Sequence, residues 1–437
     1  MIRKSLSITI VLLILSVNAY SLSLQETTDK AQNNNYIIKK YAYLYESAHS
    51  TEISMFKNLL PDISTQYSYT KLNIEPYQVS NGKEMIVNTA DQYHWNIIVT
   101  QPLFTGFYLL NKYKFARYNE QFSKANLELV TQQIIVKARV AYFNVLYNEK
   151  NFQTRKLAEE QFASHLQDAQ AFYDKGIIPE NDLLQSEAAY ANAKEERKKA
   201  KADLDNAVAQ LNQLINEPID KNHNIEDVEN VKPVQEDIDS FYNMLAGRPD
   251  IHAMYAAIAR EHAGVGMARS QYYPHLSVVG NYSKSGDNMD MSRNPYQPNI
   301  LYGVSIIASW DIFDWGKSLN DAEAQKMQEH ALKAELSNLE TSAKTQILSA
   351  YNEVSTTYDN ISVAKKALEA AQENFKLTNL RYLNQLANST DVLDARTLLT
   401  QAESNYYGSL YGYCVALSKL ELAVGKIGMF DNLIVFK

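Results

Sequence analysis

The chain has 437 residues, more than one ordinary core requires, so it either divides into domains or forms one extended architecture. Only 14 glycines and 10 prolines punctuate it, which leaves room for long helices and argues against a compact, loop-rich all-β fold. A single cysteine, Cys414, excludes an intrachain disulfide framework and a Cys-based zinc cluster, and 42 basic against 50 acidic residues disfavour nucleic acid as a main partner.

Arg3 and Lys4 precede an apolar stretch over residues 8–17, and Val17-Asn18-Ala19 has the small residues of a cleavage site, so residues 1–19 are expected to be a secretory signal peptide. No later stretch is long and apolar enough for a membrane helix, which excludes a polytopic helical membrane protein. Residues 36–56 read as a helix. Then Ile63, Thr65, Tyr67 and Tyr69 alternate with Ser64, Gln66, Ser68 and Thr70, and Tyr93, Trp95, Ile97 and Val99 with His94, Asn96 and Thr100. Such period-two alternation predicts half-buried strands. The polar segment 72–92 between them, with Asn81-Gly82, reads as a loop. Residues 107–175 contain no proline and no interior glycine before the Gly176 turn and carry an apolar stripe through Leu127, Val130, Ile134, Ala138, Ala141 and Val145. The spacing predicts one helix roughly 100 Å long at about 1.5 Å per residue, followed by a shorter one near 182–215.

Residues 217–247 read as a polar connector, after which the plan returns at an offset near 209: Ala141-Tyr142 falls on Ala350-Tyr351, Tyr173 on Tyr382, Asp182 on Asp391 and Leu211 on Leu420. Upstream the offset becomes 213, with Leu60-Pro61-Asp62-Ile63-Ser64 on Tyr273-Pro274-His275-Leu276-Ser277. The second copy therefore repeats a helix (249–270), two strands with Tyr302, Val304, Ile306, Ala308 and Trp310 on one face, a long helix (317–385) and a shorter one (391–424). The expected organisation is a first repeat over 20–216, the connector 217–247, a second repeat over 248–425 and a short tail, 426–437.

Four strands of about ten residues have the length of bilayer-spanning β-strands, but four cannot close a barrel and an open edge is not tolerated in lipid. Several chains must pool their strands. Eight strands enclose a filled interior, whereas twelve begin to leave room for water, so three chains are the smallest assembly that makes a conduit. Aromatic residues near the strand ends fit interfacial girdles; the competing reading is the core of a soluble sandwich.

The strand-to-helix signatures Gln101-Pro102-Leu103-Phe104-Thr105-Gly106 and Asp311-Ile312-Phe313-Asp314-Trp315-Gly316 resemble those of the TolC-type outer-membrane efflux proteins. So do Arg248-Pro249-Asp250-Ile251 and the hairpins from Tyr173-Asp174-Lys175-Gly176 to Asp182 and from Tyr382 to Asp391-Val392-Leu393-Asp394-Ala395. The resemblance covers essentially the whole chain after the signal peptide. It implies an α+β membrane protein: a homotrimer with a twelve-stranded β-barrel, four strands per chain, continuing into a periplasmic α-helical barrel. Its implied function is an outer-membrane channel of a tripartite efflux or type I secretion system in a Gram-negative-type cell. Implied partners are outer-membrane lipid, a periplasmic adaptor (membrane fusion) protein and an inner-membrane transporter of RND, ABC or MFS type.

The resemblance places the closed periplasmic end at the two hairpins. Asp391 and Asp394, three apart on one helix face, would form stacked carboxylate rings in a trimer; helix capping is the other reading of an Asp in a first turn. Tyr382 and Asp182 take matching places in the closing network, the phenol donating to the carboxylate, and Gly176, Gly106 and Gly316 make the hairpin and strand-helix turns. Two positions depart from the family: Gln385 replaces the hairpin glycine, so the second hairpin's backbone is expected to differ locally, and Ala387 replaces a bracing arginine. No catalytic constellation, cofactor fingerprint or metal-ligand spacing is present in the sequence, so no enzyme activity, cofactor or metal is expected. The alternative to a channel is a soluble periplasmic coiled-coil scaffold or adaptor, which would not repeat the whole strand-and-helix unit.

Overall fold

The computed structural model describes residues 21–437; the expected signal peptide lies outside the described residues. In chain order the elements are helices α1 (Leu24–Asn34) and α2 (Tyr36–Lys57), strands β1 (Asp62–Lys71), β2 (Tyr77–Ser80), β3 (Lys83–Ile86) and β4 (Asp91–Thr105), and helices α3 (Tyr108–Asp174) and α4 (Glu180–Ile215). Strand β5 (Val228–Val231) and helices α5 (Ile238–Tyr242) and α6 (Pro249–Arg269) lead to strands β6 (His275–Gly286) and β7 (Ile300–Ser309). Helices α7 (Lys317–Leu383) and α8 (Ser389–Val424) and strand β8 (Ile434–Phe436) complete the chain. Helices α3 and α7 are 67 residues each and α4 and α8 are 36 each, as an interior without proline permits. No described helix is long and apolar enough to cross a membrane.

The described residues fold as two compact units, one of Ile37–Thr131 and Asp239–Gln346, the other of 21–36 with Gln132–Ile238 and Ile347–Lys437. The first contains the antiparallel sheet, ordered β1-β4-β6-β7. Its register collects the residues that alternate in sequence: Thr65 pairs with Ile97, Ile97 with Tyr282, and Tyr282 with Tyr302, so Ile63, Tyr67, Trp95, Val304 and Ile306 share one face. That face is open to its surroundings, with Tyr302 82% exposed. The opposite face carries Ser64, Gln66, Asn96, Asn281, Ser283, Gly303 and Ser305. At the end nearest α3 the β4–β6 register slips between Pro102 and Phe104; Pro102 has no N–H to give the ladder and is tolerated at such a bulge. The loop expected over 72–92 contains the hairpin β2–β3, closed by Asn81-Gly82 with φ of 52° and 76°. Both central residues of that two-residue turn are left-handed, the combination Asn-Gly favours.

The second unit buries the predicted stripe of α3, with Ile134, Ala138, Ala141 and Val145 in its core beside Leu211 and Ile215 of α4 and Leu417 and Leu420 of α8. Two features were not foreseen. Helix α1 forms behind a Ser23 cap whose hydroxyl accepts from the Glu26 N–H. The tail does not stand apart from the connector: β8 pairs antiparallel with β5, and Phe430 is buried. Three tyrosines fasten the connector to the helices. Tyr142 and Tyr413 donate to the carbonyls of Glu226 and Lys232 at 2.7 and 2.6 Å, and Tyr411 donates to the Asp227 carboxylate at 2.6 Å. Burial raises the pKa of all three phenols, so each stays a donor.

Candidate functional site

The candidate site is the pair of helical hairpins, α3 to α4 and α7 to α8. Helix α3 ends in a left-handed Gly176 (φ 72°), whose N–H donates to Tyr173 while that of Ile177 donates to Phe172, both onto carbonyls at 2.8 and 2.9 Å. These are the two bonds of a Schellman cap. Helix α7 ends the same way: Gln385 (φ 60°) donates to the Tyr382 carbonyl at 2.9 Å and Leu386 to that of Arg381 at 2.8 Å. The expectation of a locally different second hairpin is therefore overturned. The orphan carbonyls of the last turn enforce one cap, and Gln385 adopts the glycine conformation instead of changing it, at a cost of about 1 kcal/mol for its Cβ. Gln385→Gly is accordingly expected to stabilise the hairpin by about 1 kcal/mol, less the chain entropy that glycine loses on folding, read as a raised denaturation midpoint.

Asp391 and Asp394 are both exposed on the first turns of α8. Asp391 also completes a capping box: its carboxylate accepts from the Asn388 N–H at 3.1 Å, and the Asn388 side chain accepts from the Asp391 N–H at 2.8 Å. Tyr382 is buried in the last turn of α7, and Asp182 is half-buried in the first turn of α4. The expected bond between them is not formed: Tyr382 Oη has no hydrogen-bond partner among the described residues. Its ring lies against His165 and Phe172 of α3, at 4.7 and 5.4 Å between centroids, and this packing holds the hydroxyl inside. Burial, with the charges of Asp168 and Asp182, pushes its pKa up to about 12.

At the strand-helix turns, Gly106 (φ 59°) precedes a left-handed Phe107, and Gly316 (φ 80°) follows a left-handed Trp315. A Cβ on Gly106 would lie 2.4 Å from the Ser270 carbonyl oxygen, so only glycine fits there. Ile312, Phe313 and Trp315 beside the second turn are strongly exposed.

Sequence reasoning missed what joins the hairpins. His165 of α3 makes a 2.7 Å contact through Nε2 with Ser389 Oγ of α8; Ser389 Oγ lies 3.0 Å from Ser186 Oγ of α4; and Ser186 Oγ donates to the Asp182 carbonyl at 2.9 Å. All three side chains are buried. The one available signal was that His165 is the only histidine in either α3 or α4. Arg396 of α8 was missed as well: fully buried, it sits over the Phe375 ring at 5.6 Å and 3.6 Å from Glu403. Burial lowers the pKa of Arg396 and raises that of Glu403. Cys414 is buried too, and burial pushes its thiol up to about 12, so it packs as a small hydrophobe.

Comparison with known proteins supplies the context for this architecture. The chain is similar to the outer membrane protein TolC of Escherichia coli strain K12, with 21% identity over 428 residues that cover 94% of this chain and 84% of that protein. It is also similar to the alkaline protease secretion protein AprF of Pseudomonas aeruginosa, at 20% identity over 78% of this chain and 71% of that one. Among solved structures, the CmeC outer membrane channel of Campylobacter jejuni superposes with a TM-score of 0.82 at 19% identity, over 92% of this chain and 85% of that one. VceC, an outer membrane protein of Vibrio cholerae, gives 0.79 at 15% identity, over 92% and 96%. The family model described as outer membrane efflux protein matches residues 27–217 and 241–426, and the chain belongs to that family.

Proposed function

We propose that three copies of the chain form a passive outer-membrane conduit of a tripartite efflux or type I secretion system, gated at the helical hairpins. The observation that carries this reading is the sheet: four antiparallel strands, both terminal strands β1 and β7 without an outer neighbour among the described residues, and an apolar face open on one side. Such edges are not stable in lipid. Three copies supply twelve strands, place the Ser, Asn and Gly face around a water-filled lumen and turn the aromatic face to the bilayer. The family's description as outer membrane efflux proteins and the similarity to the secretion protein AprF support the same reading.

In this assembly residues 20–216 and 248–425 are two copies of one unit, a reading supported by the equal lengths of α3 and α7 and of α4 and α8. Residues 217–247 and the tail 426–437 form an equatorial belt. The hairpins lie at the periplasmic end, where Asp391 and Asp394 form carboxylate rings and Tyr382 and Asp182 belong to the closing junction, acting on one another through charge. Periplasmic adaptor and inner-membrane transporter supply substrate and energy; the conduit itself performs no chemistry.

Pairing of β1 with β7 of a neighbouring copy is directly testable. With cysteines introduced together at Ser64 and Ser305, which lie on the same polar face, and a short bis-maleimide, outer-membrane fractions should yield a covalent ladder ending at the trimer. Either cysteine alone should remain monomeric on denaturing gels. A ladder that stops at the dimer, or a chain recovered only from the soluble periplasm, would sink the proposal and favour a scaffold without a pore.

A further inference from the structure

The contacts between the hairpins have a direction. Three hydrogen bonds link His165, Ser389, Ser186 and the Asp182 carbonyl, and each serine has one proton to give. Ser186 gives its proton to the carbonyl, so Ser389 must donate to Ser186, and His165 must donate from Nε2 to Ser389. One assignment of protons satisfies all three bonds. The relay runs from α3 through α8 to α4 and so ties the second hairpin to the first. It is shielded from water, with His165 at 5% exposure and both serines at 1%.

The same assignment leaves Nδ1 of His165 with its lone pair. Nδ1 is buried and has no hydrogen-bond partner among the described residues. The ring borders a cavity of about 110 Å³ lined also by Gln161, Asp168, Asn379 and Arg396. A proton can therefore be added at Nδ1 without breaking the relay at Nε2, but it creates an imidazolium inside the junction.

Resting on the channel reading above, we propose that this relay is the neutral lock between the two hairpins of each chain and that His165 makes the lock proton-sensitive, releasing it as pH falls. The groups around His165 set the sign. On its own helix Asp168 favours the charged ring; α4 presents Ser186 and the half-buried Asp182; α7 presents the neutral Tyr382 phenol; and α8 presents Ser389 and the cationic Arg396, with Glu403 beyond it. Burial outweighs Asp168 and lowers the imidazole pKa. A histidine whose pKa is depressed in the packed junction binds its proton better once the junction opens, so the closed state is favoured at neutral pH. That preference is lost as pH falls below the ordinary histidine value of about 6.5. Beside the exposed Thr390–Gln185 bond at 3.0 Å, this relay is a buried tie between the hairpins.

The test uses the full chain in two formats. In planar bilayers, resting conductance of the wild type should rise about tenfold between pH 7.5 and pH 5. His165→Gln, whose amide can still donate to Ser389 but does not titrate, should stay low at both. Ser186→Cys/Ser389→Cys should show no acid response when oxidised, because the disulfide then holds α8 to α4 whatever the charge on His165. In detergent, spin labels at Lys175→Cys and Gln385→Cys should move apart at pH 5 in the otherwise wild-type chain and hold their separation when His165→Gln is added. An acid response that persists in His165→Gln, or in the oxidised cysteine pair, overturns the lock. A wild type that forms no pore at either pH overturns the channel reading instead, and the spin-label separation then still decides the relay.

Discussion

Replacing Arg139 by Leu is expected to destabilise the second unit by about 3–5 kcal/mol, the largest single effect that the structure predicts. Arg139 of α3 is 2% exposed and lies 3.0 Å from the fully buried carboxylate of Glu421 on α8, while its other terminal nitrogen pairs with Asp431 of the tail. Glu421 in turn accepts from the Phe430 N–H at 2.8 Å. One guanidinium thus fastens α3, α8 and the tail together, and its removal leaves a buried carboxylate with no cation. Burial already raises the pKa of Glu421, and Arg139 is the charge that opposes the rise. Without Arg139 the folded chain holds that proton more tightly than the unfolded chain does, so the variant's stability should fall as pH rises above the ordinary glutamate value. Heat-induced loss of helical circular dichroism should therefore show a deficit that is larger at pH 8 than at pH 5. The double variant Arg139→Leu/Glu421→Leu should recover most of it, because two apolar groups leave no charge buried. A single variant that unfolds like the wild type at pH 8 would refute the argument.

Long-range architecture was legible in the sequence because it rests on periodicity. Ile134, Ala138, Ala141 and Val145 were readable as a buried stripe, and the alternation of Tyr302, Val304 and Ile306 as one face of a strand, because side-chain direction follows directly from the 3.6 and 2.0 periods. The hairpin interior was not legible, since His165 meets Ser389, 224 positions away, and Ser389 meets Ser186, 203 positions away, only when both hairpins pack. Gln385 shows the limit of a residue-type rule: glycine is favoured in a left-handed cap by about a kilocalorie, and the hydrogen bonds of the cap are worth more than that. Tyr382 shows another. Its match to a closing position was readable, but the direction of its hydroxyl is fixed by His165 and Phe172, which no local pattern announces. The tail was unreadable for a similar reason, as Ile434, Val435 and Phe436 become a strand only because β5 offers an edge.

Substituting Asp391 and Asp394 together by Asn is expected to lower the affinity of polyvalent-cation block roughly tenfold and to reduce cation selectivity in planar bilayers. The physical case is one of geometry and charge: both carboxylates are exposed and three residues apart on α8, so threefold symmetry would bring six of them to one constriction. Asp391 also serves the helix cap, and a loss of function could in principle come from a damaged hairpin. Asn separates the two effects. Its amide oxygen can still accept from the Asn388 N–H where the carboxylate does now, so the cap keeps its shape and loses only the attraction of a full negative charge for the helix N-terminus, about 0.3–1 kcal/mol. Asp391→Ala, which removes the acceptor as well, should cost more stability than Asp391→Asn while changing selectivity no further. If the double Asn variant keeps wild-type block and reversal potential, the carboxylates are capping residues alone and the constriction lies elsewhere. If both change with the denaturation midpoint held within about 1 kcal/mol, the charge itself governs passage.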